Sequence, residues 1–116
     1  MSPRRAVQGW VPDRGDVIWI DHNPFAVLST ASFHTTLGLV VGCAITSAPY
    51  NRGSTLAVDL GPIPDRPDAH RYVLCDELKS FHWRARGARP HPIGRLNDSQ
   101  LEEVMTIVGQ ILGLVV

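Results

Sequence analysis

Ten consecutive residues, Leu37-Gly38-Leu39-Val40-Val41-Gly42-Cys43-Ala44-Ile45-Thr46, carry no charge and are rich in β-branched side chains. Such a run suits the most buried strand of a sheet, covered on both faces and free to bend at its glycines. That strand cannot stand alone, because its backbone groups need partners on both edges. The flanking sequence supplies them. Asp16-Val17-Ile18-Trp19-Ile20-Asp21 and Phe25-Ala26-Val27-Leu28-Ser29 read as strands joined by an unusually tight connection. Thr55-Leu56-Ala57-Val58-Asp59-Leu60 and Tyr72-Val73-Leu74-Cys75 follow, the last running on toward Leu78. Gly61 to Ala69 contains three prolines and is expected to be a loop.

The period changes near the C-terminus. Leu101, Val104, Met105, Val108, Ile111 and Leu112 recur at helical spacing, and Asn97 with Gln100 three residues on resembles a capping box, so a helix is expected over residues 97–114. Short strands followed by one amphipathic helix predict a mainly β fold with a C-terminal helix, a small barrel or curled sheet with the helix across one opening.

The chain has 116 residues, enough for one domain with a modest core. Residues 1–10 read as a flexible basic arm and 11–116 as a single domain. Eleven Lys and Arg balance eleven Asp and Glu, so any attraction to nucleic acid must come from local asymmetry. No apolar run approaches the ~20 residues of a membrane-spanning helix. Cys43 and Cys75 lie apart in apolar contexts, outside any Cys-x-x-Cys pair, and read as buried thiols rather than a disulfide. Nothing in the sequence marks an oxidising compartment, and the expectation is a soluble cytoplasmic protein.

Charge asymmetry is strong in one segment. Between Glu77 and Asp98 there is no acid, whereas Lys79, Arg84, Arg86, Arg89 and Arg95 all fall there, interleaved with Phe81, His82 and Trp83. Clustered cations neutralise phosphates and exposed rings stack on unpaired bases, which points to single-stranded nucleic acid. The alternative is an exposed arginine-rich loop beside a buried Trp. In an extended segment Arg84 and Arg86 face the same way; their competing role is an ion pair across a dimer to Asp76 or Glu77. His82 and His91 flank the arginines and are further candidates for phosphate or base contacts.

Thr46 closes the long apolar strand, where its hydroxyl is expected to emerge at the sheet rim beside the loop Ser47 to Ser54, with Arg52 adding a cation. Other chemistries lack support. The five histidines are scattered without metal-site spacings, neither a Walker pattern nor Gly-x-Gly-x-x-Gly occurs, and the Ser and Thr clusters lack a nucleophile elbow. No metal and no cofactor is expected.

Taken in order, Val11-Pro12-Asp13-Arg14-Gly15-Asp16, Ala26-Val27-Leu28-Ser29, Cys43-Ala44-Ile45-Thr46-Ser47 and Lys79-Ser80-Phe81-His82-Trp83-Arg84-Ala85-Arg86-Gly87 resemble the MazF/PemK family of toxin endoribonucleases. The resemblance runs from about Val11 onward. It implies a homodimer of SH3-like barrels, each with a terminal helix, that cleaves single-stranded RNA at short sequences without a metal. It implies attack by the 2′-hydroxyl on the adjacent phosphate, leaving a 2′,3′-cyclic phosphate and a 5′-hydroxyl, with an Arg and a Thr supporting the reaction. Thr46 matches the family threonine and is expected to hydrogen-bond the scissile phosphate. Asn23, Ser47, Arg52, Lys79, Trp83, Arg84 and Arg86 are the expected RNA contacts. The implied partner is an antitoxin whose acidic, disordered tail complements Arg84, Arg86 and Arg89.

Family members also carry a long loop after the first strand, ending in Arg-Pro, and that arginine is catalytic. Here Ile20-Asp21-His22-Asn23-Pro24-Phe25 runs straight across. If Pro24 matches the proline of that pair, Asn23 stands where the arginine belongs, and a neutral amide cannot replace a guanidinium. Two readings follow. Either the loop is deleted, leaving a catalytically impaired member that acts as an antitoxin- or nucleic-acid-binding module, or a mobile segment belongs between Asp21 and Phe25. The lack of a two-residue hairpin signal favours the second.

Overall fold

The computed structural model describes residues 9–114. Its elements are β1 (Asp16–Ile20), β2 (Asn23–Val27), helix α1 (Ala31–Leu37), β3 (Leu39–Thr46), a 3-10 turn (Pro49–Asn51), β4 (Ala57–Ile63), β5 (Arg66–His82), β6 (Arg89–Arg95) and helix α2 (Asp98–Ile111). The six strands form one antiparallel sheet in the order β4-β5-β3-β2-β1-β6. The mostly β fold with a C-terminal helix is the one the hydropathy pattern predicts, and the long apolar run lies inside the sheet. No helix among the described residues is long and apolar enough to cross a membrane.

Period-2 alternation separates two cores. Val17, Ala26, Cys43, Ile45 and Val73 pack with Val104 and Val108 of α2, whereas Ile18, Phe25, Val27 and Val40 pack with Trp83 and Ala88. Cys43 and Cys75 are free and buried. Burial pushes their thiols up to about 12 and about 11, which leaves almost no reactive thiolate at neutral pH.

Helix α2 opens with the capping box: the Asn97 side chain accepts from Gln100 N at 2.8 Å and the Gln100 side chain accepts from Asn97 N at 2.9 Å. It stops at Ile111, short of the expected end at residue 114, because Gly113 takes a left-handed φ of 72°.

The segment Gly61 to Ala69 is not a loop. Strands β4 and β5 form a hairpin that turns at Pro64-Asp65, and Pro62 sits on an edge strand at an irregular register where its missing N–H matters little. Strand β6 was unforeseen for the same reason, since Pro90 and Pro92 argue against a strand but occupy the opposite edge. Most of the expected basic arm lies outside the described residues. Trp10, its last member, packs edge-on against Trp83 with ring centroids 5.9 Å apart.

Helix α1 was also not expected. Thr30 at its start makes no side-chain cap bond; Asp13, far upstream, does so instead, accepting from Ala31 N at 2.9 Å and from Arg14 N at 2.8 Å. These backbone bonds hold the Asp13 carboxyl below its usual range. A depressed folded-state pKa gives stabilisation that is present above the unfolded value of about 4 and is lost as pH falls through the folded value. Asp13→Asn is therefore expected to lower the urea midpoint most at neutral pH, with the gap to wild type closing on acidification. A gap that stays constant with pH would show that the carboxylate charge contributes nothing.

The α1 backbone turns His34 inward, fully buried, with Nδ1 2.5 Å from the Pro12 carbonyl oxygen and Nε2 2.5 Å from Ser29 Oγ. The His34 carbonyl accepts from Trp83 Nε1 at 3.2 Å, which ties α1 to the second core.

Strands β1 and β2 join through Asp21-His22, with Ile20 paired to Asn23. Asp21 has φ 57°, a left-handed conformation that Asp tolerates better than most residues. The far end of the chain holds it there: Arg86 Nε donates to Asp21 Oδ2 at 3.1 Å and Arg89 Nη2 to the Asp21 carbonyl at 3.1 Å. The connection is thus a regular two-residue turn, stabilised by contacts that no local turn signal reveals.

Candidate active-site groove

Two adjoining cavities lie at the ends of β2 and β3. One, of about 360 Å³, is lined by residues including Asn23, Pro24, Ile45, Lys79 and Arg86. The other, of about 230 Å³, is lined by Pro24, Ile45, Thr46, Ser47, Ile63, Arg66 and Arg71. Pro24 and Ile45 belong to both, so the two form one groove.

Sheet register explains the gathering. Lys79 pairs with Gly42 on β3, and Thr46 pairs with Tyr72 on β5, which brings Arg71 to the Thr46 rim. Thr46 is half-buried. Its Oγ1 accepts from Ala48 N at 3.2 Å, which orients the hydroxyl and leaves its proton free to donate into the groove. Arg86 lies over the Phe81 ring at 4.9 Å and pairs with Asp21, and that bond raises its pKa further.

Of the candidates named from sequence, Thr46, Ser47, Asn23, Lys79 and Arg86 line the groove; Arg52, Trp83 and Arg84 do not. Trp83 is 1% exposed, so its ring cannot stack on a base, and the buried-Trp alternative describes it correctly. Arg84 and Arg86 do not share a face, because residues 83–87 form a tight turn in which Arg86 N donates to the His82 carbonyl at 2.9 Å. Arg84 covers the Trp83 ring at 4.5 Å while Arg86 reaches the other way, to Phe81 and Asp21. Arg52 is exposed beyond the 3-10 turn, where its charge acts on Asp59.

His91 is buried rather than presented to a ligand. It packs on Trp19 with centroids 4.3 Å apart and its Nδ1 accepts from Ile93 N at 3.0 Å. Desolvation, then the charge of Arg71, holds it below the usual histidine range. Among the described residues no group of three His, Cys, Asp or Glu could hold a metal ion.

Arg66 and Arg71 are the groove residues that the sequence did not reveal. Both fall in or beside the proline-marked stretch, and only long-range pairing brings Arg71 to Thr46.

The family described as PemK-like, MazF-like toxin of type II toxin-antitoxin system matches residues 13–112. The endoribonuclease toxin MazF of Escherichia coli strain K12 is 28% identical over 120 residues, which span 92% of this chain and 99% of that protein. The aligned span exceeds the part of this chain that fills it, so the relative has residues that this chain lacks. Among solved structures, a chain of MazE-MazF (Form-III) from Deinococcus radiodurans is 31% identical with a TM-score of 0.75, covering 90% of this chain and 99% of that one. MazF (Form-I) from the same organism is 28% identical with a TM-score of 0.75, covering 90% and 98%. The matched residues run from the β1 entry through both cavities into α2, and the chain belongs to the PemK-like, MazF-like family of type II toxin-antitoxin toxins.

Proposed function

We propose that this chain is the toxin endoribonuclease of a toxin-antitoxin pair, a cytoplasmic homodimer that cleaves single-stranded mRNA at short sequences without a metal. The observation that carries this reading is the place of Thr46: a hydroxyl with a free proton, held in a groove with Ser47, Lys79 and guanidinium groups, in a chain whose relatives are endoribonucleases. In the reaction the 2′-oxygen forms a bond to phosphorus as the bond from phosphorus to the 5′-oxygen breaks. One proton leaves the 2′-oxygen and one is gained by the 5′-oxygen, so nothing else is consumed. The products end in a 2′,3′-cyclic phosphate and a 5′-hydroxyl. Thr46 donates to a non-bridging oxygen as charge builds there. Asn23, Ser47, Lys79 and Arg86 hold the flanking nucleotides, and an antitoxin with an acidic, disordered tail blocks the same groove.

Thr46→Val keeps the side-chain volume and removes the donor. It is expected to lower kcat on single-stranded RNA by about 100-fold or more, with an unchanged melting temperature. Undiminished turnover would remove Thr46 from the site.

A second reading is favoured by the Asp21-His22 turn, which closes the chain where family members carry the loop arginine. On that reading the protein binds antitoxin or nucleic acid without cutting, and the wild type itself shows no turnover on a random-sequence RNA pool.

A further inference from the structure

Eight arginines lie among the described residues, and their engagements separate them. Arg14 Nε donates to the Leu28 carbonyl at 2.6 Å, Arg86 and Arg89 hold Asp21, Arg95 pairs with Asp16, and Arg84 covers Trp83. Arg52 stands outside the groove. Among the described residues, no hydrogen bond or ion pair engages the guanidinium of Arg66 or Arg71. These two line the cleft that holds Thr46 and Ser47.

Arg71 is the better placed. Arg66 is exposed at the start of β5, next to the hairpin turn, whereas Arg71 is half-buried inside the strand, one residue before the partner of Thr46. It also lines a neighbouring cavity of about 330 Å³ with Trp19, Asp65 and His91. A planar, unpaired guanidinium on a half-buried residue, lining a cleft with two hydroxyls, is suited to a bidentate grip on an anion of phosphate geometry.

We propose that Arg71 is the cationic contact to the scissile phosphate, supplying from β5 the charge that Asn23, on the shortened β1–β2 connection, cannot. The proposal rests on the ribonuclease reading and deepens it. Thr46 and Arg71 reach the non-bridging oxygens from adjacent strands, and Arg66 neutralises the next phosphate along the chain. The site is then complete without a loop arginine.

The test uses the purified full-length protein with a quenched single-stranded RNA for turnover, and a fluorescent 2′-O-methyl RNA for binding across a salt series. Arg71→Ala is expected to lower kcat by about 100-fold or more and to reduce the slope of log affinity against log salt by about one phosphate contact. Arg71→Lys is expected to restore the slope but only part of kcat, because an ammonium is not a fork. Arg52→Ala, outside the groove, is expected to match wild type in both. If wild type cleaves and Arg71→Ala cleaves equally well, the assignment of Arg71 is overturned while the ribonuclease reading stands. If wild type does not cleave but Arg71→Ala still flattens the salt slope, the phosphate contact is supported and the ribonuclease reading fails. An unchanged slope overturns the contact in either case, and circular dichroism melts exclude unfolding as the cause of any loss.

Discussion

Trp83→Ala is expected to destabilise the whole domain strongly, not merely to weaken its grip on RNA. The ring is 1% exposed, meets Trp10 edge-on, donates through Nε1 to the His34 carbonyl and is covered by Arg84. Emptying such a site costs about 3–5 kcal/mol, against a total stability of about 5–15 kcal/mol for a natural domain. The loss extends beyond the cavity. Removing the indole N–H takes from the His34 carbonyl one of its two donors, leaving only Gly38 N at 2.9 Å, and loosens α1 from the second core. The turn that closes with Ala88 N donating to the Trp83 carbonyl at 2.9 Å also loses its anchor. A thermal melt by circular dichroism reads this directly. A Trp83→Ala protein that melts like wild type but binds RNA poorly would restore the stacking role and contradict the packing described here.

Gly42→Ala is expected to be about as damaging, through the opposite fault. A Cβ on Gly42 would lie 1.9 Å from the Ala26 carbonyl oxygen and 2.9 Å from a carbon of the Phe25 ring. The first obstacle is backbone, held in the β2–β3 ladder where Val27 pairs with Gly42 and Ala26 with Cys43, so it cannot swing aside as a side chain can. The strands must separate where the two cores meet. The expected loss is about 4 kcal/mol or more, in the range reserved for substitutions with a named steric or cavity cause. Urea denaturation checks it: a midpoint close to wild type would mean that the ladder bends more easily than its register suggests.

The glycine and the tryptophan also mark where the sequence was legible. Local periodicity revealed β1, β2, β3 and α2, because each alternation or helical stripe is written in neighbouring residues. It also revealed the bodies of β4 and β5, but failed at β6 and at the turn end of the β4–β5 hairpin, where proline argues against a strand only if the strand is interior, and edge position is a property of the whole sheet. The length of β5 and the presence of α1 were missed likewise, since α1 is capped by Asp13 from far upstream and its polar outer face resembles a loop. In the groove, Thr46 was legible as the end of the apolar run. Arg71 was not, because its relation to Thr46 exists only through strand pairing. The cationic neighbours of Trp83 leave an exposed and a buried ring equally open, and those of His91 suggest a ligand contact, although both residues are buried. Charge in the adjacent residues says little about which way an aromatic ring points.

The two-residue turn at Asp21-His22 has a consequence for how a ligand is received. A long loop that folds over a bound strand must surrender its freedom on each encounter, at about 1–2 kcal/mol for each residue fixed. Here the lip of the groove is already immobilised by Arg86 and Arg89 before any ligand arrives. The backbone at that edge has little left to be ordered, so less of the contact energy gained there is offset by conformational entropy. The groove behaves as a standing template, and a competitor for it must win by contacts alone.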